Sequence, residues 1–362
     1  MSILSADRLD TLRLIRTRNV GPVAFRQLIV RFGSASRALE ALPELAARGG
    51  KQGFRPAEKS AVLAEAERVE RLGARHVFLG DADYPPLLAQ ADNAPPALIA
   101  RGDLRLLTRR CVAIVGARNA SAAAVRFARE LAHGLAAADL VVVSGLARGI
   151  DTAAHLGAGI RATVAVIGAG IDVAFPPENA DLQERIASEG LLLTELPPGA
   201  EPLARHFPAR NRIIAWASLG TVVVEAAPRS GSLLTARLAG EEGRDVMAVP
   251  GFPADPRAQG CNTLIRDGAI LVQNAADVIE TISAIDQRLL RMPVRGYAGE
   301  PPADVGETER RAVKGLLSLS PVSVDELVRQ SGLVPALVQT ALLELEIAGH
   351  LQRHAGGRVS LG

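Results

Sequence analysis

The sequence predicts an α/β protein. It has an extended, Rossmann-like, mostly parallel sheet, flanked by a small all-α N-terminal domain and a C-terminal winged helix. Three observations carry this. Between residues 111 and 285, short and nearly continuous apolar runs alternate with helical patterns, as in strands buried on both faces of a sheet. Residues 1–75 repeat apolar positions at helical spacing instead. Residues 307–362 read as three helices followed by a hairpin at Gly356-Gly357.

The elements follow in order. Leu9, Leu12 and Ile15 mark a first helix, and Gly21-Pro22 opens a second that Gly33 ends. Helix, short turn and helix resemble a helix-hairpin-helix. Asn19-Val20-Gly21 stands at its turn, read either as a DNA-backbone contact or as packing. A further helix spans 56–72, with Glu65, Glu67 and Glu70 on its surface. Pro-rich breaks and two short strands, Val77-Phe78-Leu79 and Ala97-Leu98-Ile99, form a connector from residue 76 into the core. Core strands are expected near 111–115, 140–144, 163–167, 191–194, 220–225, 245–249 and 269–272. A Pro/Gly-containing linker covers 286–306. The domains are therefore 1–75, 76–285 and 307–362. The third helix of the last one carries Gln339, Thr340, Glu344 and Glu346 without Lys or Arg. That suits a protein contact or spacer better than a DNA reader.

Composition narrows the chemistry. With 48% hydrophobic and 22% charged residues, 362 residues can build a large core, and no apolar run reaches the ~18 residues of a membrane span. No leader is read at Met1–Asp7, and Cys111 and Cys261 make neither a disulfide framework nor a metal cluster, so a cytoplasmic protein without metal is expected. A net charge of +2 puts any nucleic-acid affinity into local clusters. Lys51, Lys59 and Lys314 are the lysines, which leaves the core to arginine and removes P-loop and Schiff-base chemistry from it.

In an open parallel sheet ligands sit beyond the carboxyl ends of the strands. At one such end lies Ser144-Gly145-Leu146-Ala147-Arg148-Gly149-Ile150-Asp151, a strand, Gly-containing turn and helix start. Its amides and helix dipole favour an anion, and Arg148 adds charge; the alternative is an ordinary turn capped by Asp151. Arg118, Arg148, Arg210, Arg212, Arg229 and Arg237 all lie in or just after such turns, where guanidinium groups grip phosphate. Phe207 offers a base roughly 1–3 kcal/mol of stacking, and Asn211 a hydrogen bond. Dinucleotide, Walker A and nucleophile-elbow motifs are absent. Glu195 and Glu225 end strands where they orient loops and bind arginines in preference to serving catalysis.

Ile114-Val115-Gly116-Ala117-Arg118, the Ser144–Asp151 stretch with His155, and Phe207-Pro208-Ala209-Arg210-Asn211-Arg212-Ile213-Ile214 occur in one order. Val224-Glu225-Ala226, Ser230-Gly231-Ser232-Leu233-Leu234-Thr235-Ala236, Val249-Pro250-Gly251 and Gly260-Cys261-Asn262-Thr263-Leu264-Ile265 follow. Together they resemble the DNA-processing protein family, DprA/Smf. The resemblance implies a non-enzymatic homodimer that binds single-stranded DNA, protects it during natural transformation and loads the RecA recombinase, with no cofactor. It implies a DNA site of Arg118, Ser144, Gly145, Arg148, Phe207, Arg210, Asn211, Arg212 and Arg237, the last standing where relatives often have lysine. Two other readings compete. One is a nucleotide-hydrolysing enzyme of the phosphoribohydrolase type with Glu225 as its carboxylate. The other is an adaptor working through the winged helix.

Overall fold

A computed structural model describes residues 4–289, 304–354 and 356–362. Chain contacts divide the protein into two units, Met1–Glu67 with Arg295–Gly362, and Arg68–Val294.

The first unit begins with α1 (Ala6–Arg16), α2 (Pro22–Phe32) and α3 (Ala35–Arg48); α4 (Lys59–Arg71) runs on into the second unit. Proline opens α2 and Gly33, at φ 77°, closes it, as the sequence indicates. Helix α3 escapes the sequence reading. Its N-cap is Ser34, whose hydroxyl accepts from the Arg37 amide, and Pro43 lies inside it. Glu65 of α4 is not a surface carboxylate: it takes a two-pronged hydrogen bond from Arg16 at 2.7 and 2.8 Å.

In the second unit the strands are β1 (Arg75–Phe78), β2 (Ala97–Gly102), β3 (Cys111–Gly116), β4 (Val141–Ser144), β5 (Thr163–Val166), β6 (Leu191–Thr194), β7 (Gly220–Val224), β8 (Asp245–Ala248) and β9 (Ile270–Leu271). They form one sheet in the order β1-β2-β6-β5-β4-β3-β7-β8-β9. Pairing is parallel from β6 to β9, whereas β1 and β2 add an antiparallel edge. Helices α5 (Pro86–Ala89), α6 (Ala122–Ala137), α7 (Ile150–Ala158), α8 (Ala180–Glu189), α9 (His206–Trp216), α10 (Gly231–Glu241), α11 (Gln259–Arg266) and α12 (Ala275–Leu289) complete the unit. Alternate strand residues enter different cores. Cys111, Ala113 and Val115 pack with Ile213, Ile214 and Ala239 of α9 and α10, while Val112 and Ile114 pack with α6, α7 and α12. That two-sided burial is why the strands read as unbroken apolar runs. Because β4 lies on one side of β3 and β7 on the other, the chain reverses direction across the sheet at β3, and a crevice opens beyond these strand ends.

The expected linker over 286–306 falls largely outside the described residues; α12 continues to Leu289 before them. After it come α13 (Glu307–Gly315), β10 (Val322–Ser323), α14 (Val324–Ser331), α15 (Pro335–Ala348), β11 (Leu351–His354) and β12 (Arg358–Leu361). This is a winged helix with a three-stranded rather than two-stranded sheet, ordered β10-β12-β11. Its third helix, α15, is not a free surface at all. Leu343 and Ile347 are buried in the core of α2 and α3. Glu344 is fully buried, accepting from Arg310 Nε at 2.7 Å and lying 3.9 Å from Arg48, and Glu346 pairs with Arg353 at 2.7 Å. At Gly49 a Cβ would approach the Glu344 carbonyl oxygen to 2.1 Å, so α3 ends in direct backbone contact with α15. Asn19, at φ 64°, donates from Nδ2 to the Ile347 carbonyl at 3.0 Å, tying the hairpin turn to the C-terminus of α15. The hairpin and the third helix thus contact one another.

Leu343→Ala should cost about 2–5 kcal/mol of stability. Hydrogen exchange in this variant should show lost protection in α2 and α3 as well as in α13–α15. Loss confined to the winged helix would contradict a shared core.

Candidate nucleic-acid interface

Beyond the ends of β3, β4, β5 and β7 lies a two-lobed cleft. The smaller lobe, about 260 Å³, is lined by Arg118, Gly145, Arg148, Phe175, Phe207 and Arg210. The larger, about 580 Å³, adds Asn211, Arg229, Ser230, Gly231, Ser232 and Arg257 to residues shared between the two. Phe207, near the start of α9, stands between them. The Arg118 guanidinium carbon is 5.3 Å from its ring centre and that of Arg210 5.9 Å, while Phe175 tilts against it at 5.8 Å.

The β4–α7 turn borders this cleft, and its amides are already engaged. Asp151 Oδ2 accepts from Gly145 N–H at 3.2 Å and from Ala147 N–H at 3.3 Å. The intervening Leu146 N–H donates to His155 Nε2 at 3.3 Å. That fixes the tautomer: His155 Nδ1–H faces Thr163 Oγ1 at 2.7 Å, and Thr163 in turn donates to the Val142 carbonyl at 2.9 Å. Burial pushes His155 down to about 3, so the ring stays neutral. Asn179 Nδ2 donates to Leu146 O and Thr152 Oγ1 to Ala147 O, completing the loop. The amides of this turn, for which the sequence offers either a phosphate or a cap by Asp151, are engaged by the Asp151 carboxyl group.

Arg210 lies beside this carboxyl group and is itself only 7% exposed. Burial lowers its pKa to about 10, with Asp151 acting in the opposite direction; burial likewise raises Asp151, opposed by Arg210. A Cβ at position 145 would fall 1.5 Å from Arg210 Nη1, so glycine is required there for the guanidinium to fit. Arg210 Nε has no hydrogen-bond partner among the described residues.

The other arginines differ in what already neutralises them. Arg118 is exposed and no carboxylate pairs with it among the described residues. Arg148 reaches the smaller lobe but pairs with Glu178 at 2.5 Å. Arg212 is turned away from the cleft: it donates to the Asn93 carbonyl at 2.7 Å, pairs with Glu195 and lies over the Trp216 ring. Arg237 sits on the outer face of α10 with Glu241 3.5 Å away and lines neither lobe. Ser144 is fully buried, its hydroxyl donating to the Ile114 carbonyl at 2.6 Å, so it joins β4 to β3 instead of facing the cleft. Asn211 lines the larger lobe and donates to the Gly231 carbonyl at 3.3 Å. Of the nine residues expected, the structure gathers Arg118, Gly145, Arg148, Phe207, Arg210 and Asn211 around the cleft and assigns Ser144, Arg212 and Arg237 other contacts.

The sequence-derived site omits Asn119 and Phe175, and also the segment Arg229–Ser232. Arg229 was visible as an arginine at a strand end; its position at φ 69°, lining the larger lobe, comes from the fold. Glu225, at φ 55°, accepts from Ser121 N–H at 2.7 Å and faces Arg257 at 3.8 Å, while Glu195 holds Arg212. Both carboxylates orient loops, as their setting among arginines suggests.

Arg212→Ala should lower thermal stability by ~1–3 kcal/mol, because its ion pair with Glu195 and its hydrogen bond to the Asn93 carbonyl are lost. It should leave the salt dependence of nucleic-acid binding unchanged; a salt slope that falls while stability holds would return Arg212 to the interface.

Comparisons with known proteins agree with this architecture. A family model described as DNA recombination-mediator protein A matches residues 75–283. Models for a DprA-like N-terminal HHH domain and a DprA winged helix domain match residues 5–67 and 298–357. Protein Smf of Synechocystis is 32% identical over 387 residues, covering 95% of this chain and 96% of the relative. The DNA processing protein DprA of Streptococcus pneumoniae is 47% identical over 201 residues, 55% of this chain and 71% of the relative. The X-ray structure of that S. pneumoniae protein superposes with a TM-score of 0.62 at 36% identity, over 76% of this chain and 98% of the other. DNA processing protein A of Helicobacter pylori, solved for its single-stranded DNA binding mode, superposes with a TM-score of 0.53 at 29% identity, over 58% and 96%. With its core and both flanking domains matched in order, the chain belongs to the DNA recombination-mediator protein A family, DprA/Smf.

Proposed function

We propose that this protein binds single-stranded DNA in the two-lobed cleft, stacking a base on Phe207 while arginines take the neighbouring phosphates, and so protects the strand and passes it to the RecA recombinase in transformation or recombination. The observation that carries this is Phe207 in an open cleft, with the guanidinium carbons of Arg118 and Arg210 5.3 and 5.9 Å from its ring centre. An aromatic face accepts any base, and arginine accepts any phosphate, so the arrangement suits a strand bound without regard to sequence. The single-strand binding of the H. pylori relative supports the same reading.

The role is that of a mediator, not an enzyme. Glu225, the carboxylate a hydrolase would need, is engaged by Ser121 N–H and Arg257, which counts against the phosphoribohydrolase reading. Homodimerisation and recombinase loading belong to the same proposal. The edge strand β9, with Ile270 and Leu271 about half exposed, offers an unpaired sheet edge where a second copy could add. No single helix among the described residues is long and apolar enough to cross a membrane.

Fluorescence anisotropy with a labelled oligothymidylate tests the pocket. Phe207→Ala should weaken binding roughly 5- to 150-fold, the equivalent of ~1–3 kcal/mol, at an unchanged salt slope. Arg118→Ala should reduce the slope by about 0.7, the value for one phosphate of a single strand. Wild-type behaviour in both variants would reject the assignment.

A further inference from the structure

Three helices start beside the cleft at the ends of β3, β4 and β7, and two of them already carry one of the protein's own carboxyl groups at their N-termini. Glu225 accepts from the N-cap amide of α6, and Asp151 lies in the first turn of α7 with its oxygen on the preceding amides. Helix α10 has no acidic residue in its first turn. Its first amide, Gly231 N–H, has no acceptor among the described residues, and the next, Ser232 N–H, reaches only the Ser230 hydroxyl at 3.4 Å. The space there is open: a Cβ on Gly231 would meet nothing within 4 Å.

A second observation points to a ligand. The larger lobe, bounded by Arg229, Ser230, Gly231 and Ser232, is also lined by Arg210, a nearly fully buried guanidinium without a hydrogen bond to any described residue. Arg229 pairs with no carboxylate among the described residues and is held at φ 69°, a conformation rarely adopted without cause by a residue other than Gly, Asn or Asp.

We propose that the N-terminus of α10 seats a phosphodiester of the bound strand, through Gly231 N–H and the one hydroxyl proton left by the 2.8 Å hydrogen bond between Ser230 and Ser232, with Arg229 and Arg210 supplying the charge. This rests on the single-strand reading above. It moves the principal phosphate seat from the β4–α7 turn, whose amides Asp151 occupies, to the opposite side of β3.

Two substitutions in the full chain test it with labelled oligothymidylate at several salt concentrations. Gly231→Pro deletes the free N–H while keeping the helix: proline is favoured at a first helical position, and Ser230, at φ −60° and ψ 143°, already has the conformation required before it. Gly231→Ala retains the N–H as a control. Ser230→Asp keeps a good N-cap but places a carboxylate on the seat, as Asp151 and Glu225 do elsewhere. The expected result is binding weakened about tenfold or more by Gly231→Pro and by Ser230→Asp, with Gly231→Ala weakened less than Gly231→Pro. The melting temperature of Ser230→Asp should be equal or higher. If Gly231→Pro does not fold, Ser230→Asp decides alone. Wild-type affinity in a folded Gly231→Pro or in Ser230→Asp, with Arg118→Ala still impaired, overturns the seat and leaves the single-strand reading intact. A wild-type protein that binds no single strand overturns both.

Discussion

The carboxyl group of Asp151, accepting from the Gly145 and Ala147 amides, is the constraint on which the cleft depends. It converts a turn that would draw an external anion into a sealed element of the scaffold. Arg210 then lies beside it with limited access to water, fitting only because residue 145 is glycine. Neutral His155 and Thr163 anchor the same turn to β4 from beneath. A buried guanidinium without a nearby carboxyl group would carry an uncompensated charge at a cost of several kcal/mol. Asp151 therefore serves the site by holding its cation, and the cation serves it by leaving a donor unsatisfied.

Charge near the cleft is set by pairing rather than by counting. The chain is almost neutral, and many of its arginines face a carboxylate: Arg148 meets Glu178, Arg212 meets Glu195, Arg237 meets Glu241 and Arg257 meets Asp255. What remains for a polyanion without a carboxylate partner among the described residues is Arg118 and Arg229, with Arg210 beside Asp151, gathered around one aromatic ring and one open helix N-terminus. Such a site needs little net charge, because its cations are concentrated where a strand would pass.

Much of this was legible in the sequence. Strands buried on both faces announce themselves as apolar runs, and Cys111–Gly116, Val141–Ser144 and Leu191–Thr194 lie where the runs place them. Phe207 and Arg118 were legible as cleft-lining residues because the one is an aromatic among charges and the other an arginine just past a strand end. Pairing was not legible. Arg212 meets Asn93 across 119 residues of chain, and no local pattern reports such a contact. Sequence shows that a turn has amides to give but not what fills them, so a phosphate and the Asp151 carboxyl group stood as alternatives there. The acidic third helix of the winged domain has a structural cause that the sequence does not report: Glu344 and Glu346 are buried in ion pairs within the first unit.

The central claim is that the cleft takes an unpaired base against Phe207. A base within a duplex cannot turn its face to that ring without unstacking, at a cost of a few kcal/mol. The most direct measurement is fluorescence anisotropy of one labelled sequence, alone and annealed to its complement, titrated with protein across a range of salt concentrations. The account predicts salt-sensitive binding of the single strand and at least about tenfold weaker binding of the duplex. Equal affinity for both forms would contradict it.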